Sequence, residues 1–109
     1  MELTAAELRV LERTDQFAKA GDADGLASVR DDVFDAIGSA FVQGRMSGTE
    51  FEREFMNRWR TMRDHGVPTS DAVDQLFTDV DVFCGDPELF EEGDLDEAGL
   101  RSAVVEFLK

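Results

Sequence analysis

Residues 47–62 read SGTEFEREFMNRWRTM and carry the clearest sign of the fold class. They begin with Ser47-Gly48-Thr49-Glu50, which has the form of a capping box. In such a box a serine hydroxyl and a glutamate carboxylate accept hydrogen bonds from backbone N–H groups that are free at a helix start. Apolar side chains then recur at helical spacing, at Phe51, Phe55, Trp59 and Met62. We predict an amphipathic helix here, which Gly66 and Pro68 end.

Two helices are predicted before this one. Thr4-Ala5-Ala6-Glu7 is a second capping box, and Gly21 stops the helix that it opens. Asp22 or Asp24 can cap the next helix, which ends at Gly44. The apolar face of this second helix is predicted at Leu26, Val29, Val33, Ile37 and Ala40, with Phe34 and Phe41 beside it.

Two further helices are predicted after it. Thr69 or Ser70 can cap the fourth helix, and Gly85-Asp86-Pro87 breaks it. Asp94-Leu95-Asp96-Glu97 can open the last helix. The apolar stripes are Val73, Leu76, Phe77, Val80 and Phe83 in the fourth helix and Leu100, Val104 and Phe107 in the fifth.

The whole pattern indicates an all-α protein. No segment alternates apolar and polar residues with the period of two that an exposed strand needs. The predicted connections are short, which favours antiparallel neighbours. We therefore expect an antiparallel up-and-down four-helix bundle with an additional N-terminal helix. A chain of 109 residues fits a single helical domain, residues 1–109, with the extra helix in residues 1–25 and the bundle in residues 26–109.

The charge of the chain is strongly negative and unevenly spread. The net charge is −14, and residues 71–109 contain twelve acidic and only two basic side chains. Such a surface repels nucleic acids and anionic membranes and attracts basic proteins. We expect a basic protein partner, no direct binding of nucleic acid and no membrane association. An acidic protein adapted to a salt-rich cytoplasm is the alternative explanation of the charge.

Sites for catalysis or for a metal are hard to find in this sequence. His65 is the only histidine, and its place before Gly66 suits it to satisfy carbonyl groups at a helix end. Cys84 is the only cysteine, so no internal disulfide can form, and a buried thiol is the usual state of such a residue. Neither zinc-ligand spacing nor the calcium-loop pattern of the EF-hand is present. We expect no enzymatic activity, no cofactor and no bound metal.

The start of the chain does not have the form of a secretory signal. Residues 1–16 contain Glu2, Glu7, Glu12 and Asp15 and no long apolar run. No stretch reaches the ~18 apolar residues that a membrane helix needs. We expect the protein to be cytoplasmic, while its oligomeric state stays open.

Three blocks of the sequence resemble the colicin D immunity protein family, the bacterial self-protective colicin-like immunity proteins. Residues 41–51, FVQGRMSGTEF, are similar to the point where one helix of that family ends and the next begins with Glu-Phe. Residues 76–87, LFTDVDVFCGDP, resemble its Leu-Phe, acidic, aromatic and Pro/Asp-turn segment. Residues 94–101, DLDEAGLR, resemble its last helix start. The resemblance covers about residues 26–109 and leaves residues 1–25 without a counterpart.

The resemblance implies an immunity-like four-helix bundle that inhibits a bacterial toxin nuclease, one that cuts tRNA in the family's best-known cases. The cleft of such a toxin is basic because it holds RNA phosphates, and the family fills it with carboxylates that mimic the charge of the substrate. By position, the resemblance assigns toxin binding first to Asp81 and Asp86. The same patch continues through Asp79, Glu88, Glu91, Glu92 and Asp94.

Two interpretations stay open at this stage. Phe90, an aromatic residue inside an acidic segment, is either an anchor in the interface or a side chain packed on the bundle. The protein as a whole is either an immunity protein or an acidic helical regulatory or scaffold module that binds a basic protein segment. The arginines of residues 45–70 are assigned no binding role, because acidic side chains nearby can pair with them.

Overall fold

The computed structural model describes residues 1–86 and 88–109, and it contains five α-helices in these residues. They are α1 (Ala5–Lys19), α2 (Ala23–Val42), α3 (Gly48–Asp64), α4 (Asp71–Asp81) and α5 (Glu97–Leu108). No strand is formed by the described residues, which have a single isolated β-bridge, between Phe83 and Leu95. The predicted all-α bundle with an additional N-terminal helix is therefore confirmed.

The helices begin where local hydrogen bonding permits. Both predicted capping boxes form, with Thr4 and Glu7 at the start of α1 and with Ser47 and Glu50 at the start of α3. For the other helices the structure selects among the predicted caps. The side chains that accept the first N–H groups are those of Asp22 for α2, Ser70 for α4 and Asp96 for α5.

The core lies between α2, α3, α4 and α5. The predicted apolar face of α2 is buried along its whole length. Phe41 and Phe51 stack with their ring centroids 4.9 Å apart, and Phe34 lies 5.2 Å from Phe55. Trp59 is only half-buried, and its ring packs against Phe77 at 4.5 Å. This aromatic cluster joins α2 to α3 and fixes the frame on which the remaining helices pack.

Helix α1 packs mainly on α2 and contributes Leu11 to the core. Gly25 allows the close approach of the two helices, since a β-carbon there would lie 2.4 Å from the Phe17 ring. Polar contacts fix both ends of α1. The carboxylate of Glu7 pairs with Arg45 near the N-terminal end, and Asp15 pairs with the buried Arg58 of α3 further along.

The prediction for the end of α4 needs correction. The helix ends at Asp81, with Val82 as its C-terminal cap, whereas the sequence pattern extended its apolar stripe to Phe83. Phe83 is buried, but it lies outside the helix and faces Leu95 in the β-bridge. The break predicted at Gly85-Asp86-Pro87 comes later than this, and Pro87 lies outside the described residues.

The two residues singled out for possible chemistry differ in outcome. His65 caps α3 as predicted, with its Nδ1 2.8 Å from the carbonyl oxygen of Thr61 and its Nε2 3.2 Å from that of Ala18. Cys84, predicted to be buried, is only half-buried, because α4 ends before it. Among the described residues, no helix has both the length and the apolar character to cross a membrane.

Candidate functional site

The connection between α4 and α5 is the longest in the chain, and its two ends lie side by side. The N–H of Cys84 donates to the carbonyl oxygen of Leu95 at 2.9 Å, and the N–H of Leu95 donates to that of Val82 at 2.8 Å. Residues 84–94, here called the acidic loop, therefore leave and re-enter the bundle at one point. A loop closed in this way forms a compact surface projection on a helical frame.

The acidic loop contains five of the seven carboxylates predicted to bind a toxin. Four of them are exposed and Asp94 is half-buried. None of the five forms an ion pair with a cation of the described residues, although eight ion pairs occur elsewhere in them. The negative charge of this loop is thus left uncompensated. The five carboxylates are those of Asp86, Glu88, Glu91, Glu92 and Asp94.

Two of these carboxylates also shape the loop. An oxygen of Asp86 accepts a hydrogen bond from the N–H of Glu88 at 3.0 Å, and an oxygen of Asp94 accepts one from the N–H of Glu91 at 3.0 Å. Such contacts fix turns, which is a common use of aspartate. The carboxylates of Glu88, Glu91 and Glu92 accept no hydrogen bond within the described residues and are free to face a partner.

The structure does not bring the other two predicted carboxylates to this loop. Asp79 is half-buried and lines a groove between α4 and α5, with Leu76 and Phe107. Asp81 is exposed and lines a different groove, between α3 and α4, with Arg53 and Arg60. Residues two apart on a helix point in nearly opposite directions, so one groove cannot contain both.

Apolar side chains accompany the carboxylates of the acidic loop. Leu89 is 69% exposed and Phe90 is 44% exposed. The Phe90 ring lines an open groove of about 430 Å³, together with Phe83, Cys84 and Thr49. Phe90 therefore does not belong to the hydrophobic core, although its ring borders residues of the bundle.

A carboxylate at the foot of the acidic loop holds it against α3. Glu97, the first residue of α5, accepts a hydrogen bond from the N–H of Gly48, the first residue of α3, at 2.6 Å. A β-carbon at Gly48 would lie 2.8 Å from the Glu97 Oε1 and 2.9 Å from the Phe83 ring. A side chain at position 48 would crowd these groups, so glycine lets the start of α5 approach the start of α3 at the foot of the loop.

The arginines of residues 45–70 mostly pair inside the protein. Arg58 is buried between Asp15 and Glu54. Arg45 binds Glu7 through both of its terminal nitrogens, and this guanidinium is the main reason that the pKa of Glu7 falls to about 2. Arg63 pairs with Asp64, whereas Arg53 and Arg60 form no ion pair in the described residues, and the partner of Arg45 comes from α1 and not from its own segment.

In residues 1–86 and 88–109, no group of three or more histidine, cysteine, aspartate or glutamate side chains is arranged to hold a metal ion. The Sγ of Cys84 lies 3.4 Å from the carbonyl oxygen of Asp86 and has no base beside it among its hydrogen-bond partners. What the acidic loop offers chemically is a surface of negative charge with apolar groups at its centre.

Some residues of this surface were not found from the sequence. Leu89 was not predicted, although an apolar pair inside an acidic segment, Leu89 with Phe90, is a visible signal. Glu97 was predicted only as part of a helix start, because its contact with Gly48 joins residues far apart in the chain. Thr49 and Asp96, which border the groove, carry no local signal of that role.

Comparison with known proteins supports one assignment. No match is found among curated proteins or among solved structures. The family model for bacterial self-protective colicin-like immunity matches residues 28–109, which include α3, α4, α5, the acidic loop and most of α2. Because this match spans most of the chain, the protein belongs to the family of colicin-like immunity proteins.

Proposed function

We propose that this protein inhibits a toxin nuclease by placing the acidic loop in the basic cleft that binds the nuclease's RNA substrate. The observation that carries the proposal is the group of five loop carboxylates without a cation partner in the described residues. A cleft that holds phosphates needs lysine and arginine side chains. Carboxylates that take the place of the phosphates can pair with those lysine and arginine side chains and so prevent the RNA from binding.

Charge also favours rapid capture of such a toxin. The whole chain has a net charge of −14, and its acidic half contains the loop. A field of this sign accelerates encounter with a basic protein by roughly 10- to 1000-fold at low salt. Speed has a direct use here, because a free toxin nuclease would damage its own cell before a slow inhibitor could bind it.

The closed shape of the acidic loop serves the same role. Its ends are joined by the hydrogen bonds of Cys84 and Leu95, and its turns are fixed by Asp86 and Asp94. A loop that is already ordered loses less conformational entropy on binding than a flexible one. In this proposal Asp86, Glu88, Glu91, Glu92 and Asp94 contact the toxin directly, while Asp79 and Asp81 contribute through the long-range field.

The N-terminal helix has a supporting role in this proposal. Residues 1–27 precede the family match, yet Leu11 lies in the core and Arg45 binds Glu7. We infer that residues 1–109 fold as one unit and that α1 stabilises the frame. The partner is then a protein and not a nucleic acid, which the negative charge repels, and we place the inhibitor in the cytoplasm, where a toxin would meet RNA.

Co-expression tests this function directly. The domain encoded immediately upstream of this gene is expressed alone and together with the protein, and cell survival, tRNA integrity and co-purification are measured. We expect survival, intact tRNA and a stable complex only in co-expression. A toxic upstream domain that still kills in the presence of this protein would overturn the proposal.

Two other outcomes distinguish the remaining candidates. A harmless upstream protein that still co-purifies would favour a regulatory or scaffold module that binds a basic protein segment. If the upstream domain is a toxin that this protein neutralises but that cuts no RNA, the immunity role stands and the proposal that the target is a nuclease is wrong. A variant that combines Glu88→Gln, Glu91→Gln and Glu92→Gln serves as the matched control in each arm, because these three carboxylates hold no turn and the bundle should stay folded without them.

A further inference from the structure

Exposed apolar side chains concentrate beside the predicted binding carboxylates. Among the described residues, six large apolar side chains are exposed, and three of them lie between α4 and α5: Val82, Leu89 and Phe90. Single exposed apolar residues are ordinary on a protein surface. Leu89 and Phe90 are adjacent, however, and lie inside a loop that otherwise contains mainly acidic residues and glycine.

The backbone of the acidic loop holds this apolar pair outward. The N–H of Leu89 donates to the carbonyl oxygen of Asp86 at 3.0 Å, and the N–H of Glu91 donates to the carboxylate of Asp94 at 3.0 Å. Leu89 and Phe90 therefore lie between two fixed turns. Neither belongs to the hydrophobic core, so their exposure does not stabilise the bundle.

We propose that Leu89 and Phe90 form the apolar centre of the interface with the toxin and enter an apolar pocket whose border is basic. This inference rests on the proposed function and adds the location and chemistry of the contact. The partner is chosen by charge complementarity, because the exposed Glu88, Glu91 and Glu92 flank the pair in the sequence, repel a negatively charged border and favour a basic one. Apolar anchors inside a polar rim are the usual arrangement of binding hot spots.

The groove beside Phe90 extends the area that a partner could contact. Its ring forms one wall of the groove of about 430 Å³ that continues to Phe83 and Thr49. Partner side chains that close over Phe90 can enter this groove and remove the exposed part of the Phe90 ring from water, while Phe83 is already buried. Aromatic side chains bury a large area with little loss of rotamer freedom, which favours slow dissociation.

Different kinetic steps should therefore depend on different residues. Buried anchors act mainly on the dissociation rate, whereas charges outside the contact centre act mainly on the association rate. Leu89 and Phe90 have no charge, so their removal leaves the salt dependence of association unchanged. The carboxylates around them should show the opposite behaviour.

The test measures association and dissociation rates against the toxin domain encoded directly upstream, for wild type, Leu89→Ala and Phe90→Ala. Matched controls are Leu8→Ala and Val105→Ala, which remove exposed apolar side chains from α1 and α5. We expect each loop variant to dissociate about 10- to 100-fold faster, with association changed less than about twofold. Circular dichroism is used to check that every variant is folded.

The outcomes separate the inference from the proposed function. If the wild-type protein binds and protects but Leu89→Ala and Phe90→Ala behave like the controls, the apolar centre is wrong and the immunity role stands. If the wild-type protein does not bind the domain at all, the proposed function fails and the inference fails with it. The combined Glu88→Gln, Glu91→Gln and Glu92→Gln variant is measured beside them, and equal slowing of association by this variant and by Leu89→Ala or Phe90→Ala would also overturn the division between apolar and charged residues.

Discussion

The carboxylate of Glu97 accepts a hydrogen bond from the backbone N–H of Gly48 at 2.6 Å, which joins the start of α5 to the start of α3. Gly48 is buried, so its N–H has no alternative partner in water. The contact also lies at the foot of the acidic loop, since Glu97 and Phe83 border the same groove. One side chain thus links the stability of the bundle to the position of the loop.

Removing this carboxylate should cost stability and loosen the loop. We expect Glu97→Ala to lower the free energy of unfolding by about 1–3 kcal/mol, the usual cost of a buried donor left without a partner. Chemical denaturation measures this loss. Hydrogen exchange at Cys84 and Leu95 should become faster in the variant, because the hydrogen bonds that their N–H groups donate to Leu95 and Val82 lie beside the same contact.

Glu106 provides the matched control for this experiment. It is a glutamate of the same helix, α5, but it is exposed and pairs only with Lys109. Surface pairs of this kind contribute about 0–1 kcal/mol. If Glu106→Ala and Glu97→Ala destabilise the protein equally, the contact between Glu97 and Gly48 does not hold the loop.

The pairing of Glu7 with Arg45 predicts a specific dependence on pH. The Arg45 guanidinium lowers the pKa of Glu7 from 4.5 to about 2, so the ionised form is favoured in the folded protein. The stabilisation is complete above pH 4.5 and is lost as the pH falls toward 2. We expect Glu7→Gln to lower the free energy of unfolding by about 1–3 kcal/mol at neutral pH. The difference between the variant and wild type should shrink as the pH falls from 4.5 toward 2.

Glu12→Gln is the control, since Glu12 is an exposed glutamate of the same helix with no ion pair in the described residues. Urea denaturation of wild type and both variants, repeated from pH 7 to pH 2.5, gives the comparison. A difference between wild type and Glu7→Gln that stays constant over this range would contradict the role of the Glu7 carboxylate.

Substitution of a residue in the aromatic cluster should cause the largest loss of stability among the variants considered. Phe55 is fully buried, and its ring lies 5.2 Å from Phe34 and 5.9 Å from Phe51. We expect Phe55→Ala to lower the free energy of unfolding by about 3–5 kcal/mol, because the ring leaves a cavity between two helices. Phe90→Ala removes the same ring from an exposed site and should cost less than about 1 kcal/mol. Comparable losses would mean that Phe90 is part of the core.

The helices could be predicted from the sequence because their signals are local. The capping boxes of Thr4 and Ser47 involve residues three apart, and the buried faces follow the helical period. The end of α4 was misplaced because it depends on the bridge between Phe83 and Leu95, which pairs two distant segments. No local pattern identifies such a pair.

The candidate site was predictable in part for the same reason. The five carboxylates of the acidic loop are close in sequence, and the chain itself keeps them together. Asp79 and Asp81 were grouped with them although both lie in α4, where a separation of two residues places side chains on nearly opposite sides. Helical geometry could have separated these two residues at the outset. The contacts of Glu97 and Glu7 could not have been found in that way, because their partners come from other helices.

The final prediction concerns the charge of the acidic loop. Glu88, Glu91 and Glu92 carry carboxylates that hold no turn, so Glu88→Gln, Glu91→Gln and Glu92→Gln together should leave the fold intact. We expect the triple variant to associate with the toxin about tenfold more slowly at low salt, and with a weaker salt dependence, because steering depends on charge near the contact. The matched control neutralises Glu12, Asp24 and Asp32, which are exposed on α1 and α2 and change the net charge by the same amount. If both triple variants slow association equally, the net charge of the protein steers the encounter and the acidic loop has no special place in it.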